Sequence, residues 1–178
     1  MSKESLLPLL MAHVLEHGMG QASLRPLAKA AGTSDRMLIY HFGTKEGLLK
    51  DLLGHIAGTY ALLLDAAIAG SAPPATRSEL LARILAQFGD PAMEPFMRLW
   101  WEIVGGSARG SPGFRAAAQA MVDKLVVWLE AQMPAGDPDP AGGARFLLAA
   151  IEGTAMLAAV GHLETAQQGL LAGGLLPS

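Results

Sequence analysis

Cysteine is missing from this chain of 178 residues, aromatic side chains make up 6% of it, and charged ones only 16%. The first absence excludes disulfides, thiolate nucleophiles and cysteine-based zinc sites, and it agrees with a cytoplasmic location. β-Branched residues are sparse while Ala and Leu dominate, so the composition points to an all-α fold. Low charge does not mean disorder here. Hydrophobic residues form 51% of the chain, and a chain of this size can bury a substantial core. An uninterrupted apolar run of the roughly 20 residues that span a membrane is also lacking; 146–160 comes nearest, and Glu152 breaks it. Lys3 with the apolar stretch 6–12 resembles a leader, but His13, Glu16 and His17 follow without a small-residue cleavage site, so neither a leader nor a membrane partner is expected.

Catalytic and cofactor constellations are equally scarce. His13, Glu16 and His17 match the H-x-x-E-H spacing in which two His one helical turn apart hold zinc and Glu activates water. No third ligand stands out, and His near a helix end is also favoured by the helix dipole. The glycines of 105–110 lack the Lys and the preceding strand of a phosphate loop. No catalytic residue, metal or cofactor is expected, and the chain does not read as an enzyme.

What the chain does contain is concentrated in 23–45, SLRPLAKAAGTSDRMLIYHFGTK. Ser23 is a good N-cap, and Leu24, Leu27, Ala28 and Ala31 recur at helical spacing. Pro26 falls in the first turn, where its missing N–H costs little. Gly32 can take the left-handed conformation that ends a helix. Thr33 and Ser34 offer a second cap, and 35–41 forms a second short helix with Met37, Leu38 and Phe42 as apolar contacts. Two helices joined by a Gly-containing turn make a helix-turn-helix, whose second helix enters the DNA major groove.

Leu24, Leu27, Ala28, Ala31-Gly32-Thr33-Ser34, Leu38, Tyr40-His41-Phe42, Lys45, Leu48 and Leu49 resemble the tetracycline-repressor (TetR) family of bacterial transcriptional regulators over roughly residues 4–53. One departure is Ile39, where family members usually carry Tyr. The resemblance places Arg25, Ser34, Asp35, Arg36, Tyr40 and His41 toward bases or the groove wall. An Arg can bind guanine at two points and an Asp can accept from cytosine. It leaves Ser23, Thr33, Tyr40, Thr44 and Lys45 for phosphate, with Lys45 at a helix N-terminus that already attracts anions.

The charge distribution fits that division. Residues 1–50 hold six Lys/Arg against four Asp/Glu, whereas the rest hold seven against twelve. A basic end on an acidic body turns toward phosphate. The expected architecture is a three-helix helix-turn-helix head over 1–46, followed over 47–178 by a helical ligand-binding and dimerisation bundle, about nine helices in all. The first helix is expected over 3–17, packing through Leu7, Leu10, Met11, Val14 and Leu15 despite Pro8. A long helix starts near Thr44 and ends near 69. Later helices are read at 76–89, 91–105, 112–133, 140–161 and 164–173, three of them opening with Asp90-Pro91, Ser111-Pro112 and Asp139-Pro140.

In the second half, Phe88, Met93, Phe96, Met97, Trp100 and Trp101 form an aromatic and Met-rich segment. It reads either as core or as one wall of an apolar pocket shared with Tyr60, Leu63, Met121, Trp128 and Met156, where flexible Met adapts to varied ligands. Glu152 and Glu102 would select a cationic or hydrogen-bonding ligand, or lie at the surface. Stripes of Phe114, Met121, Leu125, Trp128 and Leu129, and of Phe146, Ala149, Gly153, Leu157 and Val160, suit either an internal core or a partner. The resemblance implies that these two helices join a second copy in a four-helix bundle. It also implies a homodimeric repressor, released from a palindromic operator in double-stranded DNA by a small lipophilic effector. A helical carrier with a vestigial DNA head is the alternative reading.

Overall fold

The computed structural model describes residues 2–69, 72–111 and 113–176. Among these residues it contains α-helices and 3₁₀ turns and no strand. In chain order the helices are α1 (Lys3–His17), α2 (Leu24–Ala30), α3 (Asp35–Phe42), α4 (Lys45–Ile68), α5 (Arg77–Leu85), α6 (Glu94–Ala108), α7 (Phe114–Ala131), α8 (Pro140–Ala159) and α9 (Leu163–Ala172). Short 3₁₀ turns at Met19–Gln21 and Ala86–Gly89 follow α1 and α5. The all-helical expectation holds. The loop expected at 70–74 lies partly outside the described residues, and Pro112 lies outside them.

The chain divides into two compact units, 1–60 with 91–123 and 61–90 with 124–178. In the first, α1 begins at a reciprocal cap: the Ser2 hydroxyl accepts from the Ser5 amide, and the Ser5 hydroxyl accepts from the Ser2 amide. Leu6, Leu10 and Val14 are its fully buried residues, rather than the Leu7, Met11 and Leu15 expected alongside Leu10 and Val14. Pro8 sits inside this helix without ending it; burial of three large side chains offsets the one backbone bond that Pro cannot make.

Leu48, Leu52, Leu53, Ile56 and Ala57 of α4 and Leu99 and Ile103 of α6 complete the core of this unit. α4 alone among the described residues has the length and apolar content to cross a bilayer, which the expectation centred on 146–160 missed. Leu48, Leu52, Leu53, Ile56, Ala57 and Leu64 of this helix are buried, whereas Leu62 is 68% exposed.

The α6 start expected at Asp90-Pro91 is corrected. Residues 91–93 form a turn and the helix begins at Glu94, with Pro95 in its first turn. A start at 91 would place Pro95 in the interior, where its ring and missing N–H break a turn.

In the second unit, α8 packs on α9 and α5 on α8. Asp139 caps α8 as expected, its carboxylate accepting from the Gly142 amide at 2.9 Å, with Pro140 in the first turn. Arg77 at the start of α5 reaches across to the loop before α8. It donates to both Asp137 oxygens at 2.7 Å and to the Asp139 carbonyl at 3.0 Å. Those bonds hold the Asp137 carboxyl down at about 2.

Candidate nucleic-acid interface

The helix-turn-helix forms where the sequence places it. Leu27, Ala28 and Ala31 are buried, fixing α2 against α1. Gly32 has φ +62°, and the chain closes behind it with Thr33 N donating to Ala28 O at 2.9 Å and Gly32 N to Lys29 O at 3.2 Å. Both bonds satisfy carbonyls that the end of α2 leaves open. Ser23 has the extended backbone of an N-cap, but its hydroxyl accepts no capping bond, contrary to expectation. Ser34 does cap: its Oγ accepts from Met37 N at 3.3 Å.

Two faces of α3 separate cleanly. Leu38 and Phe42 are buried, whereas Ser34, Asp35, Arg36, Met37 and Tyr40 are exposed, Tyr40 to 77%. Arg36 and Tyr40 stand one turn apart on the open side. Met37, expected to pack inward, lies there too at 40% exposure. It is the member of this face that sequence reasoning passed over, although its spacing from Arg36 and Tyr40 already placed it there. A thioether and its methyl suit apolar contact with a thymine methyl.

His41 behaves differently from its neighbours. Its ring meets Tyr40 edge-on at 5.2 Å, and its Nε2 is enclosed without a hydrogen-bond partner. Only the rest of the ring reaches the surface.

Thr44 Oγ1 accepts from Gly47 N at 3.0 Å and opens α4, leaving Lys45 exposed in its first turn. Lys3, paired with Asp51, also stands 5.3 Å over the Phe42 ring, so α1, α3 and α4 meet at the base of α3. Arg25 and Lys29 are exposed on α2 and, with His13, Pro26 and Ala30, line an open cleft of about 530 Å³. The exposed cations of the head therefore sit on α2, α3 and the first turn of α4.

The H-x-x-E-H motif falls at the end of α1. The His13 and His17 rings stack at 4.5 Å, and His17 Nδ1 lies 3.1 Å from the His13 carbonyl. Among the described residues no group of three His, Asp or Glu converges to hold a metal.

The residues expected around an effector fall in both units. In the first, Met93, Phe96, Trp100 and Met121 are buried and Trp101 is half-buried. Tyr60 brings Phe96 and Met97 together, its ring 5.5 Å from Phe96 and its hydroxyl 3.7 Å from the Met97 sulfur. In the second, Trp128 is buried and donates to Asp65 Oδ1 at 2.6 Å. Leu63 and Glu152 are half-buried. Phe88 lines an apolar cleft of about 440 Å³ with Leu85, Thr154, Ala158 and Leu163.

Met156 is half-exposed on α8, in line with Phe146, Ala149, Gly153 and Val160 at alternating spacings of three and four. Leu157, expected in that stripe, is half-buried beside it. Leu125 is also half-buried. The Phe114 ring fills the space that a side chain at Gly106 would take.

Residues 12–52 match the family model for bacterial regulatory proteins of the tetR family. The HTH-type transcriptional regulatory protein RaaS of Mycobacterium tuberculosis is 32% identical over 135 residues, covering 74% of this chain and 58% of that protein. The chain thus spans little more than half the length of this relative. A TetR-family regulator from Rhodococcus sp. superposes with a TM-score of 0.70 at 19% identity, covering 96% of this chain and 94% of the other. The multidrug binding protein EbrR, solved with proflavin, gives a TM-score of 0.67 at 22% identity, with 96% and 98% covered.

Proposed function

The chain belongs to the TetR family of bacterial regulatory proteins, and from that premise we propose that it is a homodimeric, cytoplasmic transcriptional repressor whose DNA grip a small lipophilic molecule releases. The observation that carries this reading is the open face of α3, where Asp35, Arg36, Met37 and Tyr40 stand exposed above a buried Leu38 and Phe42. Met37 and Tyr40 are held out to solvent beside Asp35 and Arg36, a set of side chains that the edges and backbone of a duplex can engage. Arg36, Asp35 and Arg25 are assigned to base edges with Ser34. Ser23, Thr33, Tyr40, Thr44 and Lys45 are assigned to phosphate, and His41 to the groove wall through its accessible edge.

In this reading residues 1–46 are the reading head and 47–178 the effector and dimerisation part. The stripe of exposed Phe146, Ala149, Met156 and Val160, with half-buried Gly153 among them, faces a second copy. Small residues at 149 and 153 allow close approach of the helices. Buried Phe96 and Trp100 on α6, with Met93 just before it and Tyr60, form the effector side, and the multidrug binding protein EbrR, solved with proflavin, supports a small-molecule site in this fold. Release follows when the effector binds one spacing of the two heads better than the other.

The test is a gel-shift series on a duplex recovered by random-site selection with the whole chain. Tyr40→Ala and Lys45→Ala each weaken binding, and Lys45→Ala lowers the dependence of log affinity on log salt by about one phosphate contact per head. Unchanged binding in both variants would overturn the phosphate assignments. Failure to recover any duplex would overturn the regulator reading and leave the carrier.

A further inference from the structure

The far end of α1 is held from outside the head. Its last turn leaves carbonyls without intrahelical partners. Gly18 N closes on Val14 O at 2.8 Å, and the next carbonyl, that of Leu15, accepts from Arg98 Nη2 at 2.6 Å. Immediately beyond, Met19 N donates to Glu102 Oε2 at 2.7 Å. Arg98 and Glu102 stand one turn apart on α6, each 83 residues along the chain from its partner. A guanidinium thus meets the carbonyl end of a helix and a carboxylate meets a free amide. Both are charge-assisted bonds, and both have the sign that the local dipole favours.

The turn is shaped around this grip. Gly18 has φ +79°, and a Cβ there would come within 2.6 Å of Glu102 Oε1. Glu102, half-buried, is therefore engaged by the chain's own backbone, a role outside the two that its apolar surroundings suggested. The compact first unit contains α1, α2, α3 and all of α6 together. α6 anchors itself by burying Phe96, Leu99, Trp100 and Ile103, while Phe96 and Met97 meet Tyr60.

We infer that Arg98 and Glu102 are positioning residues for DNA reading, a two-point clamp from α6 that fixes the end of α1 and through it the attitude of the helix-turn-helix. α1 packs directly on α2, and α2 on α3, so a slip at the α1 terminus is passed to the reading helix. The same helix that bears the effector-side aromatics thereby touches the head without passing through α4. The inference rests on the regulator reading above.

The test uses the whole chain and the duplex recovered by random-site selection with wild type. Glu102→Ala and Arg98→Ala each lower affinity about tenfold, the size set by loss of one charge-assisted bond. The salt dependence stays at the wild-type value, because no phosphate contact is removed. Glu102→Gln keeps an acceptor oxygen and recovers most of the affinity. Circular dichroism and thermal unfolding confirm that the variants are folded at the temperature of the binding assay. Should Glu102→Ala not fold, Arg98→Ala and Gly18→Ala make the same test from the other bond and from the turn. Wild-type affinity in the folded variants overturns the clamp, and so does a loss accompanied by a shallower salt dependence. A wild-type chain that recovers no duplex contradicts the regulator reading itself, a result distinguishable because it does not involve the variants, and the positioning role falls with it.

Discussion

Ser34 controls entry to the reading helix through one hydroxyl, 3.3 Å from the Met37 amide. Ser34→Ala is predicted to cost about 1 kcal/mol, read as a fall of about 2–4 °C in the unfolding midpoint for a protein of this size. An unchanged midpoint would mean that the cap is not formed. Asp137 makes a second prediction. Its bonds to Arg77 hold its pKa at about 2, below the ordinary 3.8. A depressed carboxylate contributes stability above its unfolded pKa and loses it as pH falls through the folded value. Asp137→Asn is therefore expected to be less stable than wild type at pH 6, with the gap closing between about pH 4 and pH 2. Denaturant unfolding at a series of pH values checks this, and a gap independent of pH would contradict it. Neither side of that ion pair was legible in the sequence. Arg77 and Asp137 are 60 residues apart, and no periodicity links them. Ser34 was legible because capping is local.

Between neighbouring elements the same contrast holds. α1, α3, α8 and the Gly32 turn stand where caps, glycine and apolar spacing put them, since each signal acts within a few residues. The start of α6 does not, because Pro91 and Pro95 compete and only one suits a first turn. The faces were harder than the boundaries. Leu6 rather than Leu7 is buried on α1 beside Leu10 and Val14, and Met37 turns outward on α3, because which side of a helix is covered depends on elements far along the chain. On α8 the exposed side also takes in Met156, next to the half-buried Leu157. Phe146 is 49% and Val160 65% exposed in the single chain, so charging them removes little internal packing. Phe146→Glu with Val160→Glu is predicted to halve the solution mass seen by sedimentation equilibrium while leaving the unfolding midpoint within a few degrees. A variant with the mass of wild type would exclude this stripe as the dimer surface.

Across the whole molecule, α4 runs from the exposed Lys45 beside the reading helix to Ile68, and its buried leucines bind it into the core along the way. A palindromic site needs two heads about 34 Å apart, which a single copy cannot provide. The net charge of −3 makes nonspecific attraction weak, so specific placement of the cationic head must supply the binding. The helix-turn-helix was readable because it is a local unit with its own caps and turn. The clamp of Arg98 and Glu102 was not, because two hydrogen bonds spanning 83 residues leave no trace in composition or spacing. The most direct measurement of the central claim is random-site DNA selection performed in parallel with wild type and Arg36→Ala. The account predicts that wild type enriches an inverted repeat and that Arg36→Ala loses base preference at one symmetry-related pair of positions within it. No enriched repeat, or the same preferences from both proteins, would contradict it.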